Sequence, residues 1–325
     1  MITIAERNFE AFFEAPFQCY AADSLYVSPM KGDLKRFLTA GVNPLFPSER
    51  DFTYFTAHRD GRILGRITAH VHRASNVKYG WRRAYFGYFD CADDNEAATA
   101  LLGAAEQWGR QNGFTLIAGN FNLNAMQQIG VATGNFERLP YTDLVYSPRH
   151  VHMLLERNGY QRFFPMTTFE NDLSTTDPTP LFGERQQEMM RSGEFAWAPI
   201  NQRTLKARLE EARVILNDAF ANNAMFVPVS KEEFDFQVKE MAWIMDPRIS
   251  AILHHKGEPA ATIICIPDLN PLMKATRSRI GLTTPWHFLK HRLNRRRAVL
   301  IYSAVCSRFQ GQGVNPLCCT ACSAR

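Results

Sequence analysis

The sequence predicts a mixed α/β protein made of two domains in tandem. Three observations support this prediction. The chain of 325 residues is long for a single hydrophobic core but ordinary for two. A polar stretch with two prolines, Ser174–Pro180, divides it near the middle. On each side of that stretch, short apolar segments typical of strands alternate with longer segments of helical periodicity.

The first half contains a clear hairpin and a clear helix. Phe52–His58 and Arg62–Val71 are expected to be strands, because the Asp60-Gly61 turn signal lies between them. Asp94–Gln111 has apolar residues at helical spacing, and Asn112-Gly113 ends it. Four further elements are predicted in this half: strands at Arg83–Phe89, Phe114–Ala118 and Phe163–Phe169, and a helix at Arg149–Asn158.

The second half repeats this order. A strand at Phe195–Pro199 is followed by an amphipathic helix at Thr204–Phe220. Ser230 and Glu233 form a capping box that begins a second helix over Lys231–Met245. The remaining predicted elements are a hairpin of Ile249–His255 and Ala260–Ile266, and a strand at Val299–Cys306.

Composition restricts the class of protein. A hydrophobic content of 46% with 21% charged residues is normal for a globular protein and argues against long disorder. The longest apolar runs, such as Ala260–Ile266, are too short to span a bilayer, and residues 1–7 lack the features of a secretory signal. We therefore expect a cytoplasmic protein, and no nucleic-acid partner. We also expect no metal, because Cys318, Cys319 and Cys322 have no histidine nearby to complete a zinc site.

The segment after the last predicted strand carries the strongest functional signal. Val299–Cys306 runs directly into Ser307–Gly313, where Gly311 and Gly313 allow the main chain to approach an anion closely. Asn315-Pro316 then suits the first turn of a helix. A strand, a glycine-rich turn and a helix start present main-chain N–H groups to phosphate oxygens. The lysine of a Walker loop and the third glycine of a dinucleotide fingerprint are both missing.

The pattern Arg308-x-x-Gly311-x-Gly313 after an apolar strand resembles the acyl-CoA loop of the GNAT N-acetyltransferase superfamily. The preceding order of strand, two helices, hairpin and strand is similar to that family as well. The resemblance covers about Glu194–Leu317 and, more weakly, Phe52–Asn171. It implies two tandem GNAT-like domains, at 1–173 and 194–325, with a linker region at 174–193.

This resemblance implies an acyl-CoA-dependent N-acyltransferase. It would transfer an acetyl or longer acyl group directly to a small-molecule or peptide amine. Acetyl-CoA or another acyl-CoA would be the cofactor, and the implied contacts to it are Ala304, Val305, Cys306, Arg308, Phe309, Gln310, Gly311, Gln312, Gly313 and Val314. Family members often place a glutamate base on this strand, but the strand here has none, and Tyr302 is the candidate catalytic residue. The alternative is a non-catalytic CoA-binding or scaffold protein.

The first domain departs from the family at the corresponding loop. Asp90–Glu96 contains four acids and no glycine. Carboxylates suit the start of a helix, but they repel a diphosphate. We therefore expect the first domain to be a degenerate copy that does not hold CoA.

The end of the sequence suggests a separate hypothesis. The family's fold continues with a helix after its glycine loop, whereas Cys318–Arg325 has no amphipathic pattern. In the frame one nucleotide upstream, the codons of Cys318–Ala324 encode apolar residues at helical spacing, provided that the serine codon begins with TC. We therefore expect an incomplete second domain, caused by a single-base deletion after the Leu317 codon. Resequencing the gene tests this, and an intact reading frame would contradict it.

A basic stretch precedes the last strand. Between Leu269 and Arg297 the chain has eight Lys or Arg residues and no Asp or Glu. Within it, residues 285–297 combine aromatic and aliphatic side chains with cations. Two interpretations remain open at this point. The segment is either an amphipathic helix that contacts a membrane or an acidic substrate, or a solvated connection between strands.

Overall fold

A computed structural model describes residues 1–317 except 178–179, 181, 202, 240–243 and 247. The chain forms two compact units. Unit 1 comprises Met1–Phe163 together with Leu269–Arg295, and unit 2 comprises Phe164–Asp268 together with Arg296–Arg325. These units differ from the predicted domain limits in one segment. Leu269–Arg295 lies between two strands of unit 2 in the sequence, but it belongs to unit 1.

Unit 1 is built on a five-stranded sheet in the order β1-β2-β3-β4-β5. The first four strands pair antiparallel and β5 pairs parallel with β4. Its strands are β1 Thr3–Glu6, β2 Phe52–Arg59, β3 Arg62–His70, β4 Arg83–Cys91 and β5 Leu116–Ala118. The helices of Met1–Phe163 are α1 Phe9–Cys19, α2 Lys31–Phe37, α3 Arg73–Tyr79, α4 Asn95–Gln111 and α5 Arg149–Arg157.

Unit 2 contains a four-stranded antiparallel sheet in the order β6-β7-β8-β9. Its strands are β6 Phe195–Ala198, β7 Ala251–His255, β8 Glu258–Pro267 and β9 Ala298–Val305. Its helices include α6 Glu184–Arg191, α7 Leu205–Ala219 and α8 Lys231–Val238. Between β8 and β9 the chain leaves for unit 1, where it forms α9 Asn270–Thr276 and α10 Thr284–Asn294.

The two units repeat one order of elements. Each has a strand, two helices, a hairpin and a third antiparallel strand, which confirms the predicted mixed α/β fold in two copies. The hairpins match closely, because the turn residues Asp60 and Lys256 both have positive φ and each is followed by a glycine with positive φ. The strand register also shifts at the same place, next to His58 in one hairpin and His254 in the other.

The sheet of unit 1 is buried on both faces. On one face, Ile67 and Phe86 pack with Leu101 of α4. On the other, Tyr54 packs with Phe12 of α1. A charged side chain buried in such a sheet needs a partner of opposite charge and further hydrogen bonds.

The central polar group of this core is Arg66, which is fully buried on the α1 side of β3. Its guanidinium contacts the Asp90 carboxylate at 2.7 Å and donates to Tyr26 Oη at 2.6 Å and to the Phe12 carbonyl at 3.0 Å. Tyr20 donates to the second Asp90 oxygen at 2.7 Å. Burial and the neighbouring Asp90 charge raise the pKa of Tyr20 well above its usual value, so it remains a neutral donor.

Most predicted elements are present within one to three residues of their expected ends. The capping box of Ser230 and Glu233 is confirmed. The end of the helix predicted over Lys231–Met245 lies partly outside the described residues, as do Cys318–Arg325 and the frame hypothesis built on them. The strand predicted at Phe163–Phe169 is wrong, because the structure has no strand in this stretch and Phe169 is 91% exposed. No helix within the described part of the chain is both long and apolar enough to cross a bilayer.

Candidate functional site

The candidate site begins on β9, which pairs with β8 in unit 2. Ala304 faces Thr262 and Val305 faces Ala261 in the strand register. Cys306 continues the pairing, since its N–H donates to the Ala260 carbonyl at 2.9 Å. These predicted residues form the end of the strand from which the glycine loop departs.

The loop after β9 is held by buried apolar side chains at both ends. A short 3-10 turn, Ser307–Phe309, places the Phe309 ring against His255 and Phe195, with ring centroids 4.9 and 5.9 Å away. Val314 is buried on the far side of the loop. Between these two anchors, residues 310–312 are exposed and Gly313 is half-buried, so most of this turn faces solvent while its ends are fixed.

Two main-chain N–H groups in this exposed segment are available to a ligand. Gly311 and Gly313 both have positive φ, 73° and 79°, which glycine adopts readily. Among the described residues, neither of their N–H groups has a hydrogen-bond acceptor. Side-chain amides stiffen the turn around them: Gln310 Nε2 donates to the Val305 carbonyl at 3.0 Å, and Gln312 Nε2 donates to the Arg308 carbonyl at 2.7 Å.

The charges around the loop are mixed. Arg308 is exposed, lies over the Phe309 ring and donates to the Pro259 carbonyl at 3.4 Å. From α6, Arg185 and Gln186 lie beside Gly313, and Gln186 Nε2 donates to the Gly313 carbonyl at 3.2 Å. These groups provide two cations and an amide at the rim of the loop, which favours an anion.

Asp218 of α7 adds a negative charge at the start of the loop. Its carboxylate accepts from the Ser307 N–H at 2.5 Å and from Ser307 Oγ at 3.0 Å. The first amide of the turn is therefore occupied by the protein itself. An anion would be held by the Gly311–Gly313 part of the turn and not by the whole of it.

Tyr302 lies on β9 beside a register irregularity. It pairs with Ile264, whereas Leu300 pairs with Cys265, so Ile301 is an extra residue and β9 bulges there. Tyr302 is half-buried. A bulge redirects neighbouring side chains and is common next to functional sites.

Cys306 is a poor nucleophile in this setting. Burial, followed by the charge of Asp218, raises the pKa of its thiol above the usual value. Its Sγ lies 3.6 Å from the Pro259 carbonyl. A thiol that stays protonated is the weaker form for attack.

Unit 1 fills the equivalent place with its own side chains. β4 and β5 pair from Arg83 to Tyr85, and the chain that follows β5 stays close to β4, since the Phe121 N–H donates to the Phe86 carbonyl at 2.8 Å. Beyond that point the Tyr88 N–H donates to Asn122 Oδ1 at 2.7 Å, and the Phe89 N–H donates to Asn120 Oδ1 at 3.2 Å. The amides of β4 that a ligand between these strands would use are therefore already satisfied.

The acidic loop of unit 1 has structural roles. Asp94 caps α4 by accepting from the Ala97 N–H, and it forms an ion pair with Arg59. Asp90 belongs to the buried Arg66 cluster. Carboxylates in these positions stabilise the helix start and the core.

Two buried histidines lie close together in sequence, His70 at the end of β3 and His72 at the start of α3. Burial lowers the pKa of His70 to about 3 and that of His72 to about 4. His72 accepts from the Ser75 N–H as the cap of α3, and His70 stacks on Tyr85. Within the part of the chain that the structure describes, no group of three or more His, Cys, Asp or Glu could hold a metal ion.

The predicted loop residues thus come together in one exposed turn, with Ala304, Phe309 and Val314 as its buried anchors. The sequence pattern did not indicate Arg185, Gln186 or Asp218. These residues reach the loop from helices about a hundred residues earlier, and α6 lies in the region predicted as a linker. Only tertiary packing brings them there.

Comparisons with known proteins agree with this architecture. No family model matches the chain. The bacterial ceramide synthase of Caulobacter vibrioides is 25% identical over 283 residues, which are 87% of this chain and 73% of that protein. Protein YghO of Escherichia coli is 23% identical over 268 residues, covering 82% of this chain and 67% of that protein.

Among solved structures, a tandem GNAT protein from the clavulanic acid biosynthesis pathway covers 98% of this chain and 83% of its own length. The TM-score is 0.50 and the sequence identity is 10%. A likeness at this level of identity concerns the fold, and it extends over both units.

Proposed function

From the tandem GNAT fold of this chain, we propose that it is an acyl-CoA-dependent N-acyltransferase whose second unit holds the cofactor. The observation that supports this most is the pair of N–H groups at Gly311 and Gly313, in the turn that follows β9, neither of which has an acceptor among the described residues. Arg308 and Arg185 at the rim suit the two charges of a diphosphate. Acetyl-CoA or another acyl-CoA would place its diphosphate on this turn and its pantetheine arm along β9.

The reaction would be direct transfer. The amine nitrogen of the acceptor attacks the thioester carbonyl carbon, the C–S bond breaks, and CoA leaves as a thiolate. The nitrogen loses one proton, and the thiolate gains one. We propose the Tyr302 hydroxyl as the group that protonates the leaving thiolate, because it lies on β9 next to the bulge.

The acceptor is proposed to be a small-molecule or peptide amine. One relative is named a ceramide synthase, and a ceramide is the amide of a long-chain amino alcohol. A long-chain amino alcohol is therefore the first acceptor to test, together with a long acyl-CoA.

Cofactor binding is tested by Gly311→Asp. A Cβ at Gly311 meets no atom within 4 Å, so the change adds a negative charge without a clash. We expect the affinity for acetyl-CoA and longer acyl-CoAs, measured by calorimetry, to fall at least about tenfold, since each charged hydrogen bond contributes roughly 1.5–3 kcal/mol.

Two controls separate charge from backbone strain. Gly311→Asn has nearly the same size and tolerates positive φ, and we expect it to stay within about threefold of the unaltered protein. Gly41→Asp has nearly the same φ, 72°, and equally open surroundings in unit 1, and we expect no change in CoA affinity. Equal losses for Asp and Asn at Gly311 would show that charge is not the cause.

Catalysis is tested separately with Tyr302→Phe. We expect kcat for thiol release in the presence of a long-chain amine to fall about 10²-fold or more, with the KM for acyl-CoA nearly unchanged. Ser303→Ala, the neighbouring hydroxyl on β9, is the matched control and should keep most of the activity. Unchanged kcat in Tyr302→Phe would remove this residue from the mechanism.

The second candidate function is a non-catalytic CoA-binding or scaffold protein. It is favoured by the lack of an acidic residue on β9 and by the occupied β4 amides of unit 1. CoA binding without thiol release for any amine would favour a binding protein. If no acyl-CoA bound measurably, a scaffold protein would be the function that remains.

A further inference from the structure

The basic segment between β8 and β9 is fixed to unit 1 at its start. Ser278 Oγ donates to the Ser28 carbonyl at 2.6 Å, and Arg279 forms an ion pair with Glu14. Arg277 lies over the Phe17 ring. The chain directly after α9 is therefore held by contacts within unit 1, and α10 follows it in the same unit.

α10 turns its polar side inward and its apolar side outward. Thr284, His287 and His291 recur at a helical spacing and are half-buried. On the opposite face, a stripe of apolar side chains is exposed: Trp286 at 68%, Leu289 at 49% and Leu293 at 76%. A helix that only covers a core has the reverse arrangement. An exposed apolar stripe of this size indicates an interaction surface.

The charges beside this stripe are uniformly positive. Lys290 and Arg292 are exposed next to it, and neither has an ion-pair partner among the described residues. Other cations of the segment are engaged, since Arg279 pairs with Glu14 and Arg297 with Asp268. α10 therefore combines exposed Trp and Leu with two cations and contains no acid of its own.

We infer that the outer face of α10 is a docking surface for an anionic lipid bilayer. The apolar stripe would enter the boundary between headgroups and acyl chains, while Lys290 and Arg292 contact lipid phosphates. Both features are needed, because the stripe supplies buried apolar area and the cations supply attraction to negative headgroups. The inference does not depend on CoA binding or on catalysis.

The apolar part is tested with Leu289→Gln combined with Leu293→Gln. We expect flotation with vesicles of phosphatidylcholine and phosphatidylglycerol to show at least about a tenfold loss of partitioning, since the two leucines would no longer bury apolar area in the bilayer. Val77→Gln, on a helix of the same unit and 84% exposed, is the control and should bind as the unaltered protein does. Because the replaced leucines are exposed, the melting temperature should not change.

The charge part is tested with Lys290→Gln combined with Arg292→Gln. We expect about a ten- to thirtyfold loss on the same vesicles, because both cations would no longer attract the negative headgroups. Arg62→Gln combined with Lys206→Gln removes two exposed cations elsewhere and should have little effect. Added salt should weaken binding by the unaltered protein.

Three results would overturn this inference. They are absence of binding to the anionic vesicles, equal binding to vesicles of phosphatidylcholine alone, and equal losses in the control variants. Light scattering provides a further check. A dimer that is lost in the Leu289 and Leu293 variant, with no lipid binding, would assign the stripe to a second copy of this chain.

Discussion

Replacing Arg66 with methionine should destabilise unit 1 by about 3–5 kcal/mol, the cost typical of leaving one partner of a buried ion pair behind. Arg66 has no exposed side-chain surface, and Asp90 is only 8% exposed at its side chain. Without the guanidinium, the carboxylate would retain the Tyr20 hydroxyl but lose its counter-charge. Tyr26 Oη and the Phe12 carbonyl would lose their donor as well.

Urea unfolding followed by circular dichroism measures this loss in the transition of unit 1. The matched control is Arg110→Met, which breaks an exposed pair with Glu106 in the same unit and should change the free energy of unfolding by less than about 0.5 kcal/mol. A double variant, Arg66→Met with Asp90→Leu, should recover much of the loss, because apolar replacement of both partners removes the buried charge. If Arg66→Met and Arg110→Met differed little, the cluster would not be a buried pair in solution.

The sequence predicted the hairpins, the long helices and the position of the glycine loop because each depends on local signals. Asp60-Gly61 and Lys256-Gly257 determine turns, and the Ser230 capping box determines a helix start. What could not be predicted depends on distant contacts. The Asp218 carboxylate at Ser307 joins residues 89 positions apart in sequence. No periodicity or motif encodes such a contact.

The basic segment is a second case in which the sequence could not predict a feature that depends on distant contacts. Its charge and apolar content were visible in the sequence, and both interpretations remained open. The difference between them is which face of α10 is exposed, and that depends on how α9 docks through Ser278 and Arg279. Helical periodicity indicates a stripe, but only packing shows that Leu289 and Leu293 point away from the protein.

Replacing Gly87 with alanine should cost about 2–3 kcal/mol, because the added methyl group has no space. Its Cβ would lie 2.3 Å from the Phe121 carbonyl oxygen and 3.1 Å from the Asn122 Cα, which are backbone atoms that cannot rotate away. Gly103→Ala in α4 is the control, since nothing lies within 4 Å of its added Cβ. That helix position should gain roughly 0.5–1 kcal/mol. Urea unfolding measures both changes.

The stability change in Gly87→Ala also bears on whether unit 1 can bind a ligand at β4. Its close approach to residues 121–122 keeps the side chains of Asn120 and Asn122 on the amides of β4, where a ligand of unit 1 would bind. A large loss in Gly87→Ala would mean that this contact is tight, and that the β4 amides of unit 1 stay closed to a ligand. A loss no larger than about 0.5 kcal/mol, the range of ordinary surface changes, would mean that residues 119–122 move aside easily. In that case the hydrogen bonds from Asn120 and Asn122, and not the packing at Gly87, would be what covers the β4 amides of unit 1.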